Sequence, residues 1–489
     1  MKNAILALTL ALFAAGCAPS TRTVRDQAAP SFVRLTSTSP YPAFKAAIDT
    51  LLPDTLFPPA NVALKIVSLE DGAVLYELNP QMQFNPASNE KLFTSAAALT
   101  LLGEGFPLTT VVGADTSTAT LYLKGCGDPL LSTADLDSLA RTIGPLLPLK
   151  TSWMLVYDES FFDANYWGEG WGWDDEPYYY QPFLTPLILN NNTVTVRAQA
   201  GVAPGDSVRV TVDPPTSFVT VVNAGRTVAD TAVNPLSISR KPRDTSNSIL
   251  ISGDAVPGSK GAREVLTVWD PGRYTATVFA ELLRSRNVPV STIVADTIPP
   301  YATEVMRYSH RLDSAVTFLN KESDNLTAET LLKLLARENR GVQGSAGVGV
   351  SVLYTYLSSI GIDTMKIAIV DGSGLSRMNL TSASAIIKLL TAMYFDGRHA
   401  NAFLSSLPIA GADGTLANRM KGTPAAGNLK AKTGTLSGVT TLSGYVTTAD
   451  GKPLAFSMMM QNFSASSRDY RLAQDGIGAF LAGLKLKDL

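Results

Sequence analysis

The feature that most constrains the fold is the uneven distribution of strand and helix patterns along the chain. Near the amino end, alternating apolar residues at Val62–Ile66 and Val74–Leu78 flank Asp71-Gly72, which predicts a β-hairpin. A lone hairpin is only marginally stable and must pack on something else. Helix patterns near the carboxyl end precede three strand patterns, at Leu429–Thr435, Val439–Thr447 and Pro453–Asn462. We therefore expect one α/β domain built from both ends of the chain.

Residues 113–300 show a different pattern of apolar and turn residues from the two ends of the chain. Short alternating segments there are separated by turn residues such as Pro204-Gly205-Asp206 and Pro214-Pro215, and one helix pattern, Tyr274–Arg286, closes the stretch. A chain of 489 residues is also too long for one ordinary core. The predicted organisation is a domain of residues 41–112 plus 301–489, interrupted by a mainly β insertion at 113–300.

The first 40 residues predict export. Met1-Lys2-Asn3 precedes an apolar stretch and the small residues Ala14-Ala15-Gly16 before Cys17, as in a signal peptide whose cleavage site resembles the lipobox of bacterial lipoproteins. We expect residues 1–17 to be this signal, Cys17 to carry a lipid that anchors the protein to a membrane, and residues 18–40 to be a polar tether. Ordinary cleavage nearby, with Cys17 incidental, is the alternative.

Composition excludes several function classes. Hydrophobic residues make up 45 % of the chain and its net charge is −2, as expected for a folded protein without the basic stripe of a nucleic-acid binder. If Cys17 is lipidated, Cys126 is the remaining cysteine and no internal disulfide forms; we expect Cys126 to be a small buried residue. His310 and His399 are the two histidines and neither has zinc-ligand spacing, so we expect no metal and no cofactor.

A hydrolase built on this chain needs a base other than histidine, and Ser88-Asn89-Glu90-Lys91 offers a lysine. The motif opens an apolar run, Leu92–Leu102, with helical spacing. A serine at a helix start and a lysine one turn later share a face, so the amine can reach the hydroxyl. The geometry is that of a serine nucleophile with a lysine base. A capping serine beside a solvated lysine is the alternative.

Two further motifs, Ser323-Asp324-Asn325 and Lys432-Thr433-Gly434-Thr435, follow in the back half of the chain. Each is weak alone, since the first also suits a helix cap and Lys432 could be an exposed lysine on an edge strand. Together with Ser88-x-x-Lys91 they form an ordered trio on helix, loop and strand, which is the set known from penicillin-binding proteins and class A β-lactamases.

With this trio, the sequence resembles the penicillin-binding serine D-alanyl-D-alanine peptidases, and the long insertion resembles their class C low-molecular-weight branch. Segments 125–129, 371–377 and 407–416 match as well. The resemblance implies an α/β (α+β) penicillin-binding, β-lactamase-like transpeptidase domain with a long, mainly β insertion. It also implies D-Ala-D-Ala carboxypeptidase activity, with endopeptidase activity on peptidoglycan cross-links, stem peptides as substrates and β-lactams as inhibitors.

The chemistry assigns roles to the trio. Ser88 is expected to attack the carbonyl and form an acyl-enzyme, and Lys91 must be neutral to take its proton. Ser323 would relay the proton to the departing amine and Asn325 would position Lys91 and the substrate amide. Lys432 would lower the pKa of Lys91 as a nearby cation and anchor the substrate's terminal carboxylate.

Strand residues complete the predicted site. Thr433 and Thr435 would help Lys432 hold the carboxylate, and Gly434 leaves room for substrate along the strand edge. By resemblance, the backbone N–H groups of Ser88 and Thr435 form the oxyanion hole. The resemblance also implies that Arg377 and Asp158 grip the amino-acid end of a diaminopimelate side chain; a structural ion pair is the alternative for Arg377.

The sequence therefore predicts a lipid-anchored, periplasm-facing enzyme of the bacterial cell envelope that acts on peptidoglycan. A β-lactamase or esterase of the same Ser-Lys class is one alternative, but no sequence feature supplies the water-activating carboxylate that it would need. An inactive wall-binding lipoprotein is another; it would have no use for Ser88, Lys91 and Lys432.

Overall fold

The computed structural model describes residues 37–52, 60–148, 151–230, 234–300, 302–464 and 466–489, and Ser37–Leu489 form one compact unit. The predicted signal, Cys17 and most of the predicted tether lie outside the described residues. No helix within these ranges is long and apolar enough to cross a membrane.

Ten α-helices lie in the described ranges: α1 (Pro42–Leu51), α2 (Glu90–Leu102), α3 (Thr133–Ile143), α4 (Pro271–Arg284), α5 (Leu312–Glu322), α6 (Asn325–Arg340), α7 (Ala346–Ser359), α8 (Ala383–Tyr394), α9 (Ala400–Ser406) and α10 (Arg468–Gly483). The strands of the first third are β1 (Asn61–Ser68), β2 (Val74–Leu78), β3 (Pro107–Asp115), β4 (Thr120–Cys126) and β5 (Trp153–Asp158). The middle third holds β6 (Thr193–Gln199), β7 (Arg209–Asp213), β8 (Thr220–Asn223), β9 (Arg226–Thr227), β10 (Ser237–Arg240), β11 (Ser248–Ser252), β12 (Asp254–Ala255) and β13 (Ala262–Thr267). The last strands are β14 (Val290–Ala295), β15 (Thr303–Arg311), β16 (Lys430–Leu436), β17 (Val439–Thr447) and β18 (Pro453–Gln461).

One antiparallel sheet joins the two ends of the chain. Its order is β16-β17-β18-β1-β2, so the amino-terminal hairpin extends the carboxyl-terminal meander. The junction is the full-length pairing of β1 with β18, from Asn61 opposite Gln461 to Ser68 opposite Leu454. The hairpin thus gains the partner that its sequence required, and the expected mixed α/β architecture is confirmed.

The sheet is covered on both faces. Val62, Leu64 and Ile66 of β1 pack in an apolar core with α1 and α10, whereas Ala63 and Val67 face a second core built mainly from α2 and α5–α9. This division follows from the two-residue period of a strand. Helix α2 lies inside the second core, and its residues from Glu90 to Leu99 are all buried. Strand β16 is left at the sheet edge beside the start of α2.

The segment between α2 and α5 forms its own sheets. A five-stranded sheet has the order β14-β5-β4-β3-β15, and three small sheets of two or three strands adjoin it. Strands β3 and β15 pair with each other and belong to this sheet, although the predicted boundaries at 113 and 300 placed most of β3 and all of β15 outside the insertion. The division into two domains stays a prediction; sheet membership favours boundaries near Pro107 and Arg311.

The insertion contains a helix that we did not predict. Helix α3 begins with a capping box in which Ser132 and Asp135 exchange hydrogen bonds, and it buries Leu136, Leu139 and Ile143. That spacing and the Ser-x-x-Asp cap were the available signals. Cys126, expected to be buried, is only half-buried at the end of β4, and burial raises the pKa of its thiol to about 11.

A histidine ties β15 to the loop after β4. His310 Nδ1 lies 2.9 Å from Oδ2 of Asp128, and its Nε2 lies 3.8 Å from the Asp135 carboxylate, which also accepts a hydrogen bond from the Tyr308 hydroxyl. The hydrogen bond to Asp128 raises the pKa of His310, while burial raises the pKa of Asp128. Both shifts mean that the folded chain holds protons more tightly here than the unfolded chain does.

We expect the His310→Gln variant to lose stability in a pH-dependent way. The charged imidazolium stabilises the fold fully below its ordinary pKa of 6.5, and this contribution disappears as pH rises through the raised value. The substitution should lower the free energy of unfolding by about 1 kcal/mol at about pH 5.5, and by less at about pH 9. Urea unfolding followed by tryptophan fluorescence at both pH values measures this, and an equal loss at both would contradict it.

Candidate active site

Ser88 lies in a short 3₁₀ turn, Ala87–Asn89, that runs directly into α2. Three hydrogen bonds fix the turn: Ala87 N–H donates to Asn85 Oδ1 (2.8 Å), the Thr441 hydroxyl to Pro86 O (3.0 Å), and Asn89 Nδ2 to the backbone oxygen of Lys432 (2.9 Å). Thr441 belongs to β17 and Lys432 to β16, so the last two bonds attach the serine turn to these strands at the edge of the sheet.

Lys91 is fully buried one turn after Ser88. Its Nζ lies 3.1 Å from Ser88 Oγ, and 2.6 Å from both Asn325 Oδ1 and the backbone oxygen of Ser373. The three partners belong to three different parts of the fold, and together they fix the position of the amine. Ser88 and Lys91 are thus at the distance that proton transfer between them requires.

The second motif lies between two helices. Ser323 ends α5 in a left-handed conformation (φ 60°), and Asp324 caps α6 by accepting a hydrogen bond from Thr327 N (2.7 Å). The predicted helix cap is therefore present, but it is Asp324 that makes it. Ser323 is left free to accept a hydrogen bond from Lys432 Nζ, at 2.8 Å.

The third motif is on the edge strand β16. The Lys432 side chain is fully buried, so it is not the exposed edge lysine of the alternative interpretation. A side chain at Gly434 would overlap the Thr441 hydroxyl and come within 3.0 Å of Ser88 N. Glycine is therefore required for the strand to lie this close to the nucleophile. Thr433 contacts Thr415 through their hydroxyls (2.8 Å), and Thr435 is exposed.

A set of buried carboxylates behind Lys91 escaped the sequence analysis. Glu329 accepts hydrogen bonds from the backbone of Gly372 (3.0 Å) and Ser373 (2.8 Å), so it fixes the turn whose Ser373 oxygen binds Lys91. Asp371 accepts from Gly374 N and Ser376 N in the same loop. The match of segment 371–377 to the family had marked this loop, but nothing in the sequence showed that Glu329 would meet it.

Burial decides the protonation of the two lysines. It lowers the pKa of Lys91 to about 8, and nearby carboxylates, with Asp371 the strongest, oppose the shift. Burial and the Lys91 ammonium together hold the pKa of Lys432 well below its usual value. We expected burial and a nearby cation to lower the pKa of Lys91 together; burial lowers it, and the charged groups that act on it are carboxylates, which raise it.

Glu90 is a further buried carboxyl near Lys91, Glu329 and Asp371. Burial, followed by repulsion from Asp371 and Glu329, raises its pKa well above the ordinary value. Neither oxygen of its carboxyl has a hydrogen-bond partner among the described residues. The raised pKa of Glu90 disfavours a negative charge next to Lys91 and so limits how far Glu90 opposes the lowering of the pKa of the amine.

The insertion supplies part of the site, which the sequence did not indicate. Asn325 Nδ2 donates to the backbone oxygen of Tyr180 (2.6 Å), and Asn191 Nδ2 donates to the Asp324 carboxylate (3.0 Å). Trp171 Nε1 donates to Asp371 (3.0 Å). Both ends of the Asn325 amide are thus occupied, one by Lys91 and the other by the insertion.

Arg377 and Asp158, which were predicted to grip the diaminopimelate end of the substrate, do not form an ion pair with each other in the structure. Arg377 is exposed, and the described residues offer it no hydrogen bond or ion pair, so the alternative of a structural ion pair gains no support. Asp158 is buried; it accepts hydrogen bonds from Ser160 N (2.8 Å), Ile298 N (3.0 Å) and Lys124 Nζ (3.0 Å). Both of its oxygens already accept hydrogen bonds within the insertion, and its assignment to the diaminopimelate end stays a prediction.

Neither histidine hydrogen-bonds to Ser88. His310 pairs with Asp128, and His399 Nδ1 lies 3.7 Å from the Glu104 carboxylate. Across the described ranges, no three His, Cys, Asp or Glu side chains are grouped as a metal site would require.

A serine and a buried lysine of lowered pKa on one helix, facing a Ser-Asp-Asn turn and a Lys-Thr-Gly edge strand, define a serine peptidase of the penicillin-binding class. The family model described as the D-Ala-D-Ala carboxypeptidase 3 (S13) family matches residues 44–484. The chain therefore belongs to that family of hydrolases, and the resemblance seen in its motifs is confirmed.

Individual relatives and a solved structure agree with this family assignment. The chain is 33 % identical over 456 residues to a D-alanyl-D-alanine carboxypeptidase of Actinomadura sp., covering 89 % of this chain and 84 % of that protein. It is 29 % identical over 399 residues to penicillin-sensitive carboxypeptidase A of Dictyostelium discoideum, covering 76 % of each. The crystal structure of penicillin binding protein 4 from Haemophilus influenzae has the same fold, with a TM-score of 0.76 at 22 % identity over 88 % of this chain and 98 % of that one.

We expect Lys91 to set the pH dependence of acylation. Since only the neutral amine can accept a proton, acylation by a penicillin should speed up with rising pH and level off above a midpoint near the pKa of about 8. Lys91→Arg should slow acylation by about 10³-fold, because a guanidinium does not deprotonate in proteins. Stopped-flow measurements between about pH 6 and pH 10 check both expectations.

Lys432→Arg is the matched control, because it also replaces a buried lysine of the site by arginine. It should retain a measurable acylation rate that still rises with pH. A flat profile in the wild type, or equal rates in the two variants, would contradict the assignment of Lys91 as the base.

Proposed function

We propose that this protein hydrolyses the peptide bond between two terminal D-alanines through an acyl-enzyme on Ser88. The observation that carries the proposal is the 3.1 Å approach of Lys91 Nζ to Ser88 Oγ, with the amine buried and held by Asn325 and Ser373. Membership of a D-Ala-D-Ala carboxypeptidase family supports the choice of substrate.

The reaction uses two proton transfers. Neutral Lys91 takes the proton of Ser88 Oγ as the oxygen attacks the carbonyl carbon, and the negative charge on the carbonyl oxygen is held by backbone N–H groups of Ser88 and Thr435. The C–N bond then breaks, and the proton that Lys91 has taken passes through the Ser323 hydroxyl, which hydrogen-bonds to Lys432, to the departing amine, so that Lys91 is neutral again. In the second half, water gives a proton to Lys91 as its oxygen attacks the ester carbon; the ester C–O bond breaks, Lys91 returns the proton to Ser88 Oγ, and the shortened peptide leaves as a carboxylic acid.

Lys432 and the strand hold the leaving residue. In the free enzyme, burial and Lys91 disfavour a charged Lys432; a bound carboxylate reverses this by pairing with the ammonium. Thr433 and Thr435 add hydroxyl donors next to it. A carboxylate also lies beside the attacked bond in a peptidoglycan cross-link, so the same anchor would serve endopeptidase cleavage. Arg377, exposed and unpaired within the described ranges, is the candidate to contact the stem peptide.

The site supports a peptidase better than the alternatives. A fast β-lactamase needs a base that activates water at the acyl-enzyme, and no carboxylate in the described part of the chain hydrogen-bonds to Ser88. Glu329 and Asp371 are turned toward backbone N–H groups instead. An inactive wall-binding protein would not need two lysines kept at lowered pKa, since each costs stability on burial.

Penicillin should acylate Ser88, because its strained amide presents the same carbonyl and carboxylate as the peptide. Incubation with a fluorescent penicillin, followed by peptide mapping, should place the label on Ser88, and Ser88→Ala should lose it completely. Ser95→Ala is a suitable control, since Ser95 is buried on the same helix without a lysine one turn later. A label on Ser323, or an undiminished label in Ser88→Ala, would contradict the assignment of Ser88 as the nucleophile.

We also propose a location in the bacterial cell envelope, with Cys17 as a lipid anchor that places the enzyme facing the periplasm. The family's wall-peptide substrate supports the envelope, and the small residues before Cys17 support the anchor. Cys17→Ser should move the protein from the membrane fraction to the soluble fraction and leave purified activity unchanged. A wild type that is soluble, with its mature amino terminus elsewhere, would contradict the anchor.

A further inference from the structure

The insertion contains a buried ion pair that no step of the reaction uses. Arg240 is the last residue of β10, and Glu176 lies in the segment Trp171–Gln181, which we call the aromatic loop. Arg240 Nη2 donates a hydrogen bond to Glu176 Oε1, and each of the two side chains is only 1 % exposed. Taking two charges out of water costs free energy that their attraction often fails to return. A role other than stability is therefore worth seeking for this pair.

The Arg240 guanidinium joins two small sheets of the insertion. Its Nε donates to the backbone oxygen of Thr267 (3.0 Å) and its Nη2 also to Thr267 Oγ1 (3.2 Å), at the end of β13. Its Nη1 donates to the backbone oxygen of Asp244 (3.0 Å), in the turn after β10. The planar, forked guanidinium can reach all of these acceptors at once, whereas the single ammonium of a lysine could not.

Glu176 fixes the base of the aromatic loop against the same two strands. Its Oε2 accepts a hydrogen bond from Arg243 N (2.7 Å), just after β10. The backbone oxygen of the next residue, Pro177, accepts from Thr267 N (2.9 Å) and from Thr267 Oγ1 (3.2 Å), at the end of β13. The aromatic loop is thus bound at Glu176 and Pro177 to the structure that Arg240 holds together.

From this base the aromatic loop leads directly to the catalytic asparagine. Two consecutive turns follow, in which Tyr178 N donates to Asp175 O (3.1 Å) and Gln181 N donates to Tyr178 O (2.9 Å). The Tyr180 hydroxyl donates back to Asp175 Oδ1 (3.2 Å), and the Tyr180 backbone oxygen accepts from Asn325 Nδ2 (2.6 Å). The position of the Tyr180 oxygen, and with it the orientation of the Asn325 amide, depends on how the loop is held.

The aromatic loop makes a second contact with the surroundings of Lys91. Trp171 Nε1 donates to Asp371 (3.0 Å), which fixes the turn that carries the Ser373 oxygen. Asn325 Oδ1 and the Ser373 oxygen are two of the three partners of Lys91 Nζ. The loop therefore supports two of the three groups that fix the amine.

We propose that Arg240 and Glu176 are positioning residues for the reaction: their ion pair holds the aromatic loop in the shape that keeps Asn325 directed at Lys91. The inference rests on the proposed function, in which Lys91 is the base. Without the pair, the Tyr180 oxygen is free to move, the Asn325 amide loses its fixed partner, and water can reach the amine. The outlying sheets of the insertion thus contribute to the chemistry at Ser88 without touching substrate.

Replacing both partners by methionine tests this role separately from stability. Removal of one partner would leave an unpaired buried charge, but replacement of a buried pair by apolar residues of similar volume is often neutral for stability. Arg240→Met combined with Glu176→Met should therefore unfold in urea close to the wild type. Its acylation by a penicillin should be about 10-fold slower at high pH, because the base is misplaced.

The pH dependence is the readout that a purely structural pair would not change. Desolvation is the main cause of the lowered pKa of Lys91, and water that reaches the amine reverses it. The midpoint of acylation should therefore move to higher pH in the double methionine variant. Stopped-flow acylation between about pH 6 and pH 10 measures both the rate at high pH and the midpoint.

The matched control is Arg286→Met combined with Asp137→Met. This ion pair also lies in the insertion, between α3 and the residues after α4, and within the described ranges it makes no hydrogen bond to the aromatic loop. Its rate and midpoint should equal those of the wild type. If the double methionine variant does not fold, Arg240→Lys takes its place, because it keeps the charge but cannot make the forked bonds; the same losses are expected.

A double-mutant cycle tests the route through Asn325. Asn325→Ala removes the amide on which the aromatic loop acts, so loss of the ion pair should slow the remaining acylation of this variant by less than 2-fold, roughly the non-additivity expected of coupled residues. If the pair acted on the fold in general, the loss of about 10-fold would be undiminished in the Asn325→Ala background.

The inference is supported if a folded variant without the pair is slower, has its midpoint at higher pH and loses little more when Asn325 is absent. It is overturned if that variant keeps the wild-type rate and midpoint, if the control pair loses as much, or if the loss is undiminished in Asn325→Ala. A wild type that forms no penicillin adduct would overturn the proposed function, and this inference with it.

Discussion

The burial of the Lys91 amine is the constraint on which the rest of this structure depends. A lysine in water is protonated at neutral pH and cannot take a proton from serine. Removing water from around Nζ lowers its pKa to about 8, but an amine without water needs other partners. Ser88, Asn325 and Ser373 provide them, and each is held in turn by another element: the sheet edge, the insertion and Glu329. The lowered pKa that the proposed base requires therefore depends on the whole fold.

The same demand explains why the carboxylates near Lys91 have such different surroundings. Three ionised carboxylates around one amine would raise its pKa and remove the base. Burial raises the pKa of Glu90 well above its ordinary value, and burial together with Asp371 also raises the pKa of Glu329, to about 7, so both carboxyls bind a proton more readily than in water. Glu329 and Asp371 direct their oxygens at backbone N–H groups, so their charge stabilises a loop and is partly neutralised there. The cluster supports the lysine mechanically while limiting its electrostatic effect.

Much of the fold and the centre of the site could be predicted because they depend on local patterns. The period of two in β1 and β2 and the Asp-Gly turn between them predicted the hairpin, and Ser88-x-x-Lys91 needs only a helix to bring its two side chains together. What escaped depends on long-range contacts. Glu329, Tyr180 and Asn191 act through hydrogen bonds to residues far away in the chain, and so do Lys124 and Ile298, which donate to Asp158.

The bond between Asn325 and the Tyr180 oxygen bears on how the enzyme becomes active during folding. Lys91 and Asn325 are 234 positions apart, and the insertion that supplies Tyr180 lies between them. Contacts of such high sequence separation form slowly, because the intervening chain must be closed into a loop first. Ser88 and Lys91 can adopt their helix early, yet the amine stays hydrated and protonated until the insertion docks and the last strands join the sheet. A partly folded or truncated chain therefore has Ser88 without a neutral lysine beside it. We expect hydrolytic activity only in the completely folded molecule.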